Sequence, residues 1–260
     1  MEELRIERAE GVVTLTLDRP QVRNAIDVPL WRALTAALRE IREREDDRAV
    51  VLTGAGAHFC AGGDLSGAAP GDRERSGDPL EAAVREMRES VGALCLALHE
   101  LPKPTLAAVE GSAAGAGANL AFGCDLVVAA RSARFSELFV RRGLPIDSGG
   151  SWLLPRLVGL QKAKELAFFG DWFSAEQARE LGLVTRCVEE GEALGVAQQL
   201  ANRLAGSSPH ALAWIKRSLN RSFETSFAEA LENEARGLAE CVGTPEFAAA
   251  LQAFLSKRRG

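Results

Sequence analysis

The chain has 260 residues, and its 36 acidic and 31 basic side chains give a formal net charge of −5 at pH 7. This length suits one core with an appendage rather than two full domains. A content of 47% hydrophobic and 26% charged residues is typical of a soluble globular protein. The acidic balance offers no basic surface for nucleic acid, and no apolar run is long enough to predict a membrane-spanning helix.

Cysteine usage and the start of the chain indicate the compartment. The first residues are charged and show no signal-peptide pattern, and the five cysteines are scattered and odd in number. These features predict a reduced, cytoplasmic protein. The three histidines have no ligand-spaced neighbours, so we expect no metal site.

Hydrophobic periodicity predicts strands and helices through the first half of the chain. Alternating or continuous apolar runs are typical of strands, and apolar positions three and four apart are typical of helices. The predicted elements are strands over residues 12–17, 49–53, 105–109 and 125–130 and helices over residues 28–46, 80–101 and 116–123. Residues 66–79 are polar and predict a loop. The repeated order of strand, strand and helix favours an α/β fold built as a ββα spiral over a doubly wound sheet.

The last part of the chain has a different character. Four amphipathic helices are predicted with no strand between them, over residues 190–205, 208–221, 224–241 and 244–257. They carry too many apolar positions for an isolated tail, which indicates docking on the core or contact with another subunit. The predicted organisation is a core over 1–195 and a helical oligomerisation region over 196–260.

Two glycine-rich turns are the main functional signal. They cover residues 54–64 and 111–119, and each follows a strand-like run and leads into a helix-like run. Two such turns can aim two backbone N–H groups at one carbonyl oxygen, which would stabilise a thioester enolate. Glycine and alanine suit this role because backbone must approach the ligand closely. The plainer interpretation is tight strand-to-helix connections with small residues for packing. The sequence has no dinucleotide, Walker or serine-hydrolase motif at these turns.

Five motifs resemble the crotonase (enoyl-CoA hydratase/isomerase) superfamily, and the likeness extends from residue 19 to residue 258. The motifs are FCAGGDL at 59–65, LPKP at 101–104, VEGSAAGAGA at 109–118, CDLVVA at 124–129 and GGSWLLPR at 149–156. The resemblance implies a ββα-spiral core with a helical C-terminal region that builds homotrimers, often as dimers of trimers. It also implies an acyl-CoA substrate, with coenzyme A as part of the thioester and no permanently bound cofactor.

The same resemblance assigns roles to particular residues. It places the two oxyanion-hole amides at Gly63 and Ala116. It places a coenzyme A-binding strip at Arg23, Asn24, Ala25, Ala61, Asp64 and Leu65, with Phe254 and Lys257 contacting coenzyme A from a neighbouring subunit. For Lys257, an ordinary solvated lysine is the simpler alternative.

The chain departs from the pattern of members that hydrate enoyl-CoA. Where those members carry two glutamates, this chain has Asn119 and Phe139 next to the substrate. An amide cannot exchange a proton near neutral pH and a phenyl ring has none to give, so hydration lacks its acid–base pair. The resemblance leaves one acid well placed: Asp147, at a position where isomerases of the superfamily carry aspartate. The motifs are also similar to those of the phenylacetyl-CoA pathway isomerase, except that Pro145 stands one place early.

Two carboxyls are therefore candidates for the proton-transfer group. Asp147 in an apolar pocket with Phe139, Leu144 and Ile146 would have a raised pKa and suit a base, whereas its simpler role is to cap the following helix. Glu137 precedes Phe139 by two residues, on the same side if the segment is extended. The simpler interpretation of Glu137 is an exposed surface residue.

Three functions remain open at this stage. The first is an isomerase that uses Asp147 to shift a double bond or to isomerise a ring epoxide. The second is an enoyl-CoA hydratase in which Asn119 positions the water. The third is a non-catalytic acyl-CoA-binding member of the superfamily.

Overall fold

A six-stranded sheet forms the centre of the structure, which is a computed structural model that describes residues 3–66 and 78–257. The strands are β1 (Leu4–Ala9), β2 (Val12–Leu17), β3 (Ala49–Gly54), β4 (Thr105–Val109), β5 (Ser112–Ala114), β6 (Leu126–Ala130), β7 (Arg134–Ser136), β8 (Phe173–Ser174) and β9 (Arg186–Val188). The large sheet has the order β1-β2-β3-β4-β6-β9, and a small sheet has the order β5-β7-β8. The pairs β1–β2 and β7–β8 are antiparallel, and all the others are parallel.

Helices cover the sheets and form the C-terminal region. They are α1 (Val28–Glu43), α2 (Pro79–Met87), α3 (Ala93–His99), α4 (Ala116–Phe122), α5 (Gly150–Val158), α6 (Leu160–Phe169), α7 (Ala175–Glu180), α8 (Ala193–Ala205), α9 (Pro209–Asn220), α10 (Phe227–Val242) and α11 (Pro245–Lys257). None of these helices is both long and apolar enough to cross a bilayer. A π-helical turn, Arg88–Gly92, separates α2 from α3.

Most sequence-predicted elements are confirmed. The four predicted strands correspond to β2, β3, β4 and β6, and the four C-terminal helices correspond to α8 to α11. The helix predicted over 80–101 is divided by the π turn, and most of the predicted loop over 66–79 lies outside the described residues. The edge strand β1 was not predicted because five of its six residues face solvent, so it lacks a buried apolar run.

Continuous apolar runs form the central strands because helices pack on both faces of the large sheet. On one face, α1 packs against a core that includes Leu15 and Leu52, which are paired in register between β2 and β3. On the other face, three alanines of α8 lie against the sheet, namely Ala193, Ala197 and Ala201. Helix α8 therefore packs on the sheet, and the predicted boundary between residues 195 and 196 falls inside this helix; the division into two regions stays a prediction.

Helices α9 and α10 pack on one another and are joined to the core by polar contacts. In α9, the Lys216 ammonium donates to the Asp125 carboxylate at 2.8 Å and to the Lys103 carbonyl at 3.2 Å. The Trp214 indole of α9 donates to Glu240 of α10 at 3.0 Å. Large apolar side chains of this region stay exposed in the single chain: Phe223, Phe227, Leu238, Leu251 and Phe254. The trimer remains a prediction, to which these exposed side chains lend support.

The same glycine-to-alanine change should have opposite effects at two helical positions. A Cβ on Gly237 of α10 would lie 2.9 Å from the Trp214 ring, so overpacking should cost Gly237→Ala about 1–3 kcal/mol of unfolding free energy. A Cβ on Gly195 of α8 would meet no atom within 4 Å among the described residues, so Gly195→Ala should gain about 0.5–1 kcal/mol. Denaturant unfolding of both variants checks this, and equal effects would contradict the described packing.

Candidate active site

The two glycine-rich turns lie side by side and are joined by backbone hydrogen bonds. Cys60 N–H donates to the Ser112 carbonyl at 3.1 Å, and Ala114 N–H donates to the Cys60 carbonyl at 3.0 Å. The pattern is a short parallel bridge with Cys60 opposite Ala113. Segments that are about fifty residues apart in sequence are thus held in one register.

Glycines allow this close approach. A Cβ on Gly62 would lie 2.8 Å from the Ala114 carbonyl oxygen, and Gly62 also has a φ of +100°. A Cβ on Gly117, one residue into α4, would lie 2.5 Å from the Cys60 carbonyl oxygen. A side chain at either position would force the two turns apart, since both contacts are with backbone.

The geometry leaves the Gly63 and Ala116 amides available to a ligand. Ala116 is the first residue of α4, where an amide has no intrahelical acceptor. Gly63 N–H donates none of the backbone hydrogen bonds within the described residues, whereas Asp64 N–H next to it donates to Ile26 at 2.9 Å. The position that a Cβ on Gly62 would take is 3.6 Å from the Ala116 nitrogen, so the two amides lie on neighbouring backbone. This arrangement supports the predicted oxyanion hole.

A polar cluster lies beside the second turn and brings together Asn119, Glu137 and Asp147. The Asn119 side-chain nitrogen donates to Glu137 Oε2 at 3.2 Å and to the Asp147 backbone carbonyl at 3.0 Å. A Cβ on Gly150 would lie 2.3 Å from that nitrogen, so α5 reaches the cluster because glycine stands at its first residue. Within the described residues, Asn119 Oδ1 and Glu137 Oε1 are buried and have no hydrogen-bond partner.

The two carboxyls of the cluster occupy different environments. Glu137 is 0% exposed, and burial raises its pKa to about 8, with the Asp147 charge adding to the rise and the Asn119 hydrogen bond opposing it. Asp147 is half-buried, and desolvation raises its pKa above the ordinary value while a hydrogen bond from Ser148 Oγ at 2.7 Å opposes the rise. Carboxyls with distinct environments can hold a proton on one and a charge on the other.

Glu137 is the site residue that sequence analysis undervalued, because the expectation of an exposed side chain is wrong. The segment after it is also not extended, since residues Leu138–Arg142 form a 3₁₀ turn. The useful signal is its position directly after β7, in which Phe135 and Ser136 are both fully buried. Phe139 is buried too, and its ring lies 3.6 Å from the position of a Cβ on Gly115.

Asp147 does not cap the following helix with its side chain. The N-cap of α5 is Gly149, which has no side-chain cap, and only the Asp147 carbonyl accepts from Gly150 N–H, at 2.9 Å. The expected apolar pocket is partly wrong, since Leu144 is 42% exposed whereas Ile146 packs against the core. The interpretation of Asp147 as a helix cap is thus wrong, because its carboxylate accepts no capping hydrogen bond from the described N-terminus of α5.

The predicted coenzyme A strip is assembled by backbone pairing of two segments. Ala61 N–H donates to the Arg23 carbonyl at 2.9 Å, and Ile26 pairs with Gly63 in a parallel bridge. Arg23 and Leu65 are exposed, and Ala25, Ala61 and Asp64 are partly exposed at this edge.

Two residues of the strip have internal partners. Asn24 is 0% exposed, and its side-chain nitrogen donates to the Ala55 and His58 carbonyls, so the structure assigns its side chain to bracing the first turn rather than to a ligand. Asp64 pairs with Arg19 at 3.2 Å.

Phe254 is 57% exposed on α11, and the Lys257 side chain lies outside the described part of the chain.

A cavity of about 850 Å³ adjoins the polar cluster. Asn119, Ser148 and Gly149 line the end nearest the cluster, and Trp152, His99 and Leu96 are among the residues farther along. The Trp152 ring is fixed by Arg156, whose guanidinium lies 3.9 Å from the ring centroid, and by the edge of His99 at 5.0 Å. Its size suits a small molecule, and its wall combines apolar side chains such as Leu96 and Trp152 with charged ones such as Arg42 and Lys216.

These features define an α/β scaffold of the crotonase class, with neighbouring backbone amides at two glycine turns and a polar cluster whose Asn119 lines a cavity. A family model described as enoyl-CoA hydratase/isomerase matches residues 7–260. The chain is 41% identical over 255 residues to a Rhodobacter capsulatus protein named probable enoyl-CoA hydratase, covering 98% of this chain and 95% of the relative. It is 39% identical over 253 residues to the 1,2-epoxyphenylacetyl-CoA isomerase of Escherichia coli, covering 96% and 94%.

A solved structure agrees with these matches. The crystal structure of an enoyl-CoA hydratase/isomerase from Cupriavidus metallidurans superposes with a TM-score of 0.90 at 35% identity, covering 99% of this chain and 94% of that chain. The chain therefore belongs to the enoyl-CoA hydratase/isomerase family, and the predicted crotonase fold is confirmed.

Replacing Glu137 with Gln should change how stability depends on pH. The unfolded carboxyl has the ordinary pKa of 4.5 and the folded one a pKa of about 8, so between these values the folded chain binds a proton that the unfolded chain has released. Stability of the wild type therefore falls as pH rises through this window, and the variant lacks that fall.

Calorimetry of wild type and variant from acid to alkaline pH checks this. The Tm of Glu137→Gln should exceed that of the wild type at the alkaline end of the window by several degrees, and the two should converge at the acid end. Glu180→Gln, at an exposed glutamate that ends α7, is the control and should parallel the wild type. Parallel curves for Glu137→Gln would contradict a buried, protonated carboxyl.

Proposed function

We propose that this member of the enoyl-CoA hydratase/isomerase family is an acyl-CoA isomerase with Asp147 as its single base. The observation that carries the proposal is the placement of Asp147 beside the polar cluster, with a raised pKa and no capping task. The positions at which hydrating members carry glutamates hold Asn119 and Phe139 instead. Similarity to an Escherichia coli isomerase over nearly the whole chain adds support.

In the proposed mechanism, the thioester carbonyl oxygen accepts hydrogen bonds from the Gly63 and Ala116 amides. The Asp147 carboxylate removes a proton from the carbon next to the carbonyl of a 3-enoyl thioester, and the electron pair of that C–H bond forms a dienolate. The negative charge moves to the thioester oxygen, where the two amides stabilise it. Asp147 then returns the proton to the fourth carbon. The double bond has moved by one position, and the carboxylate is regenerated with no net change in protons.

A ring-epoxide thioester would use the same parts. The amides would hold the carbonyl of a bulky cyclic acyl group, and Asp147 would transfer the proton. Isomerisation needs no added water, so one carboxylate suffices for both substrate types.

A second candidate, hydration of a 2-enoyl thioester, is favoured by the buried Glu137. Hydration needs one group to activate water and one to deliver a proton, and the site contains two carboxyls of which one has a pKa of about 8. The Rhodobacter capsulatus relative carries the name of a hydratase. An assay of water addition to crotonyl-CoA separates this candidate from the isomerase, since an isomerase leaves that thioester unchanged.

Changing Asp147 to Asn should abolish isomerisation while acyl-CoA binding persists. The amide cannot accept the proton, so kcat with a 3-enoyl-CoA or a ring-epoxide CoA ester should fall about 10²–10⁴-fold, the usual contribution of a general base. Binding of a saturated acyl-CoA, measured by calorimetry, should change little. Asp46→Asn, at an exposed residue after α1, is the matched control. Wild-type turnover by Asp147→Asn would exclude Asp147 as the base.

Changing Ala116 to Pro should remove one oxyanion donor and keep the helix. Proline is well tolerated at the first helical position, and Gly115 before it has a ψ of −123°, outside the helical region that proline disfavours in its predecessor. The loss of one donor typically costs about 10²–10³-fold in kcat. Turnover and Tm of Ala116→Pro and of the amide-retaining control Ala116→Ser check this. A folded proline variant with wild-type kcat would exclude this amide from the mechanism.

A further inference from the structure

Glu137 is a carboxyl whose burial is unexplained by the contacts around it. It is 0% exposed, yet the structure gives its side chain one hydrogen bond, from Asn119 at 3.2 Å. Its second oxygen is buried without a partner among the described residues. A buried polar group with incomplete hydrogen bonding lowers stability, and an apolar residue of similar length would fill the same space at less cost. Burying Glu137 therefore lowers the stability of the fold, and its packing contacts do not account for a carboxyl at this position.

The side-chain hydrogen bond of Glu137 connects it, through Asn119, to the backbone of Asp147. The Asn119 side-chain nitrogen carries two hydrogens, and its two acceptors are Glu137 Oε2 and the Asp147 carbonyl. Asn119 comes from α4, Glu137 from the end of β7, and Asp147 from the turn before α5. Glu137 fixes the rotation of the amide, and the amide holds the Asp147 backbone.

The turn that carries Asp147 is one that needs to be held. Ser148, the next residue, has a φ of +52°, which is a strained conformation for a residue with a side chain. Gly149 has a φ of +79°, and a Cβ on Gly150 would lie 2.3 Å from the Asn119 side-chain nitrogen. Without the bond from Asn119, relaxation of Ser148 would move the Asp147 carboxylate relative to the two oxyanion amides. A displacement of about 1 Å in such a group costs about 10²-fold in rate.

We propose that Glu137 is a positioning residue for Asp147 that works in its protonated form, holding the Asn119 amide so that Asn119 fixes the turn of the catalytic carboxylate. This inference rests on the proposed role of Asp147 as the base. It adds a residue that acts through Asn119 and does not itself touch substrate.

The charges around Glu137 favour the protonated form. Asp147 is the charged group that acts on it from the α5 side, and α4 contributes the neutral Asn119. The three arginines near Glu137 in sequence are all exposed: Arg134, Arg141 and Arg142. Arg141 pairs with Asp171, and the Arg134 guanidinium lies over the Trp172 ring. Ionisation would place a second carboxylate beside Asp147 and drive the turn away from the cluster, since like charges repel strongly in a buried site. Turnover should therefore fall as pH rises through about 8.

Two substitutions of Glu137 test the proposal with the full-length enzyme and the isomerase substrates. Glu137→Gln keeps an oxygen that accepts from Asn119, so kcat near neutral pH should stay within about twofold of wild type, and the alkaline fall in kcat should disappear. Glu137→Met fills the space without an acceptor, so kcat should fall at least about 10-fold with KM within about twofold. In combination with Asn119→Ala, Glu137→Met should cost nothing further, because the two residues act in series.

The outcomes separate the inference from the proposed function. An alkaline fall that persists in Glu137→Gln, or wild-type kcat in folded Glu137→Met, overturns the positioning role. A lower Tm of Glu137→Met with unchanged kcat means that Glu137 is structural only, which also overturns it. If Asp147→Asn keeps wild-type turnover, the proposed base fails whatever the Glu137 variants show. If Glu137→Met fails to fold, the pH profile of Glu137→Gln decides.

Discussion

The backbone bridge between the two glycine turns is the constraint on which the rest of the site depends. Cys60 exchanges hydrogen bonds with the segment 112–114, and Gly62 and Gly117 allow the contact because any Cβ there would meet a carbonyl oxygen at under 3 Å. The bridge joins the segment after β3 to the segment after β4, and so the large sheet fixes the separation of the amides. An oxyanion hole made of backbone needs no side chain to be ordered when the substrate arrives, so its position is set when the sheet folds.

The polar cluster depends on the same bridge, because α4 connects the bridge to the cluster. Gly117 lets the first turn of α4 lie against Cys60, and two residues later Asn119 meets Glu137 and the Asp147 turn. The Ala116 amide and Asn119, which holds the Asp147 turn, thus lie on one short helix. The buried Glu137 takes part through Asn119 in a hydrogen-bond network that connects three chain segments.

The sequence predicts the scaffold well and the proton chemistry incompletely. Strands β2, β3 and β4 are predictable because burial on both faces demands continuous apolar runs, and α9 to α11 because one face of each helix is apolar. Strand β1 lacks such a run, and the packing of α8 on the sheet is hard to predict because small alanines do not mark a helix as buried. Glu137 was missed because a single charged residue is usually exposed, and its partner Asn119 is distant in sequence from it and from Asp147.

The fold fixes the backbone atoms of the site, whereas its side chains can vary. Backbone amides can be placed by any sequence that keeps the glycines, so they identify the family and leave the reaction open. In the proposed isomerase the reaction depends instead on side chains, with Asp147 as the base and with Asn119 and Glu137 holding its turn. Hydration and isomerisation share the enolate and differ in how many groups transfer protons. In this chain the second carboxyl is present but is bound to Asn119, and an acid held by an amide is better suited to fixing a neighbour than to delivering a proton. That difference favours isomerisation with one base.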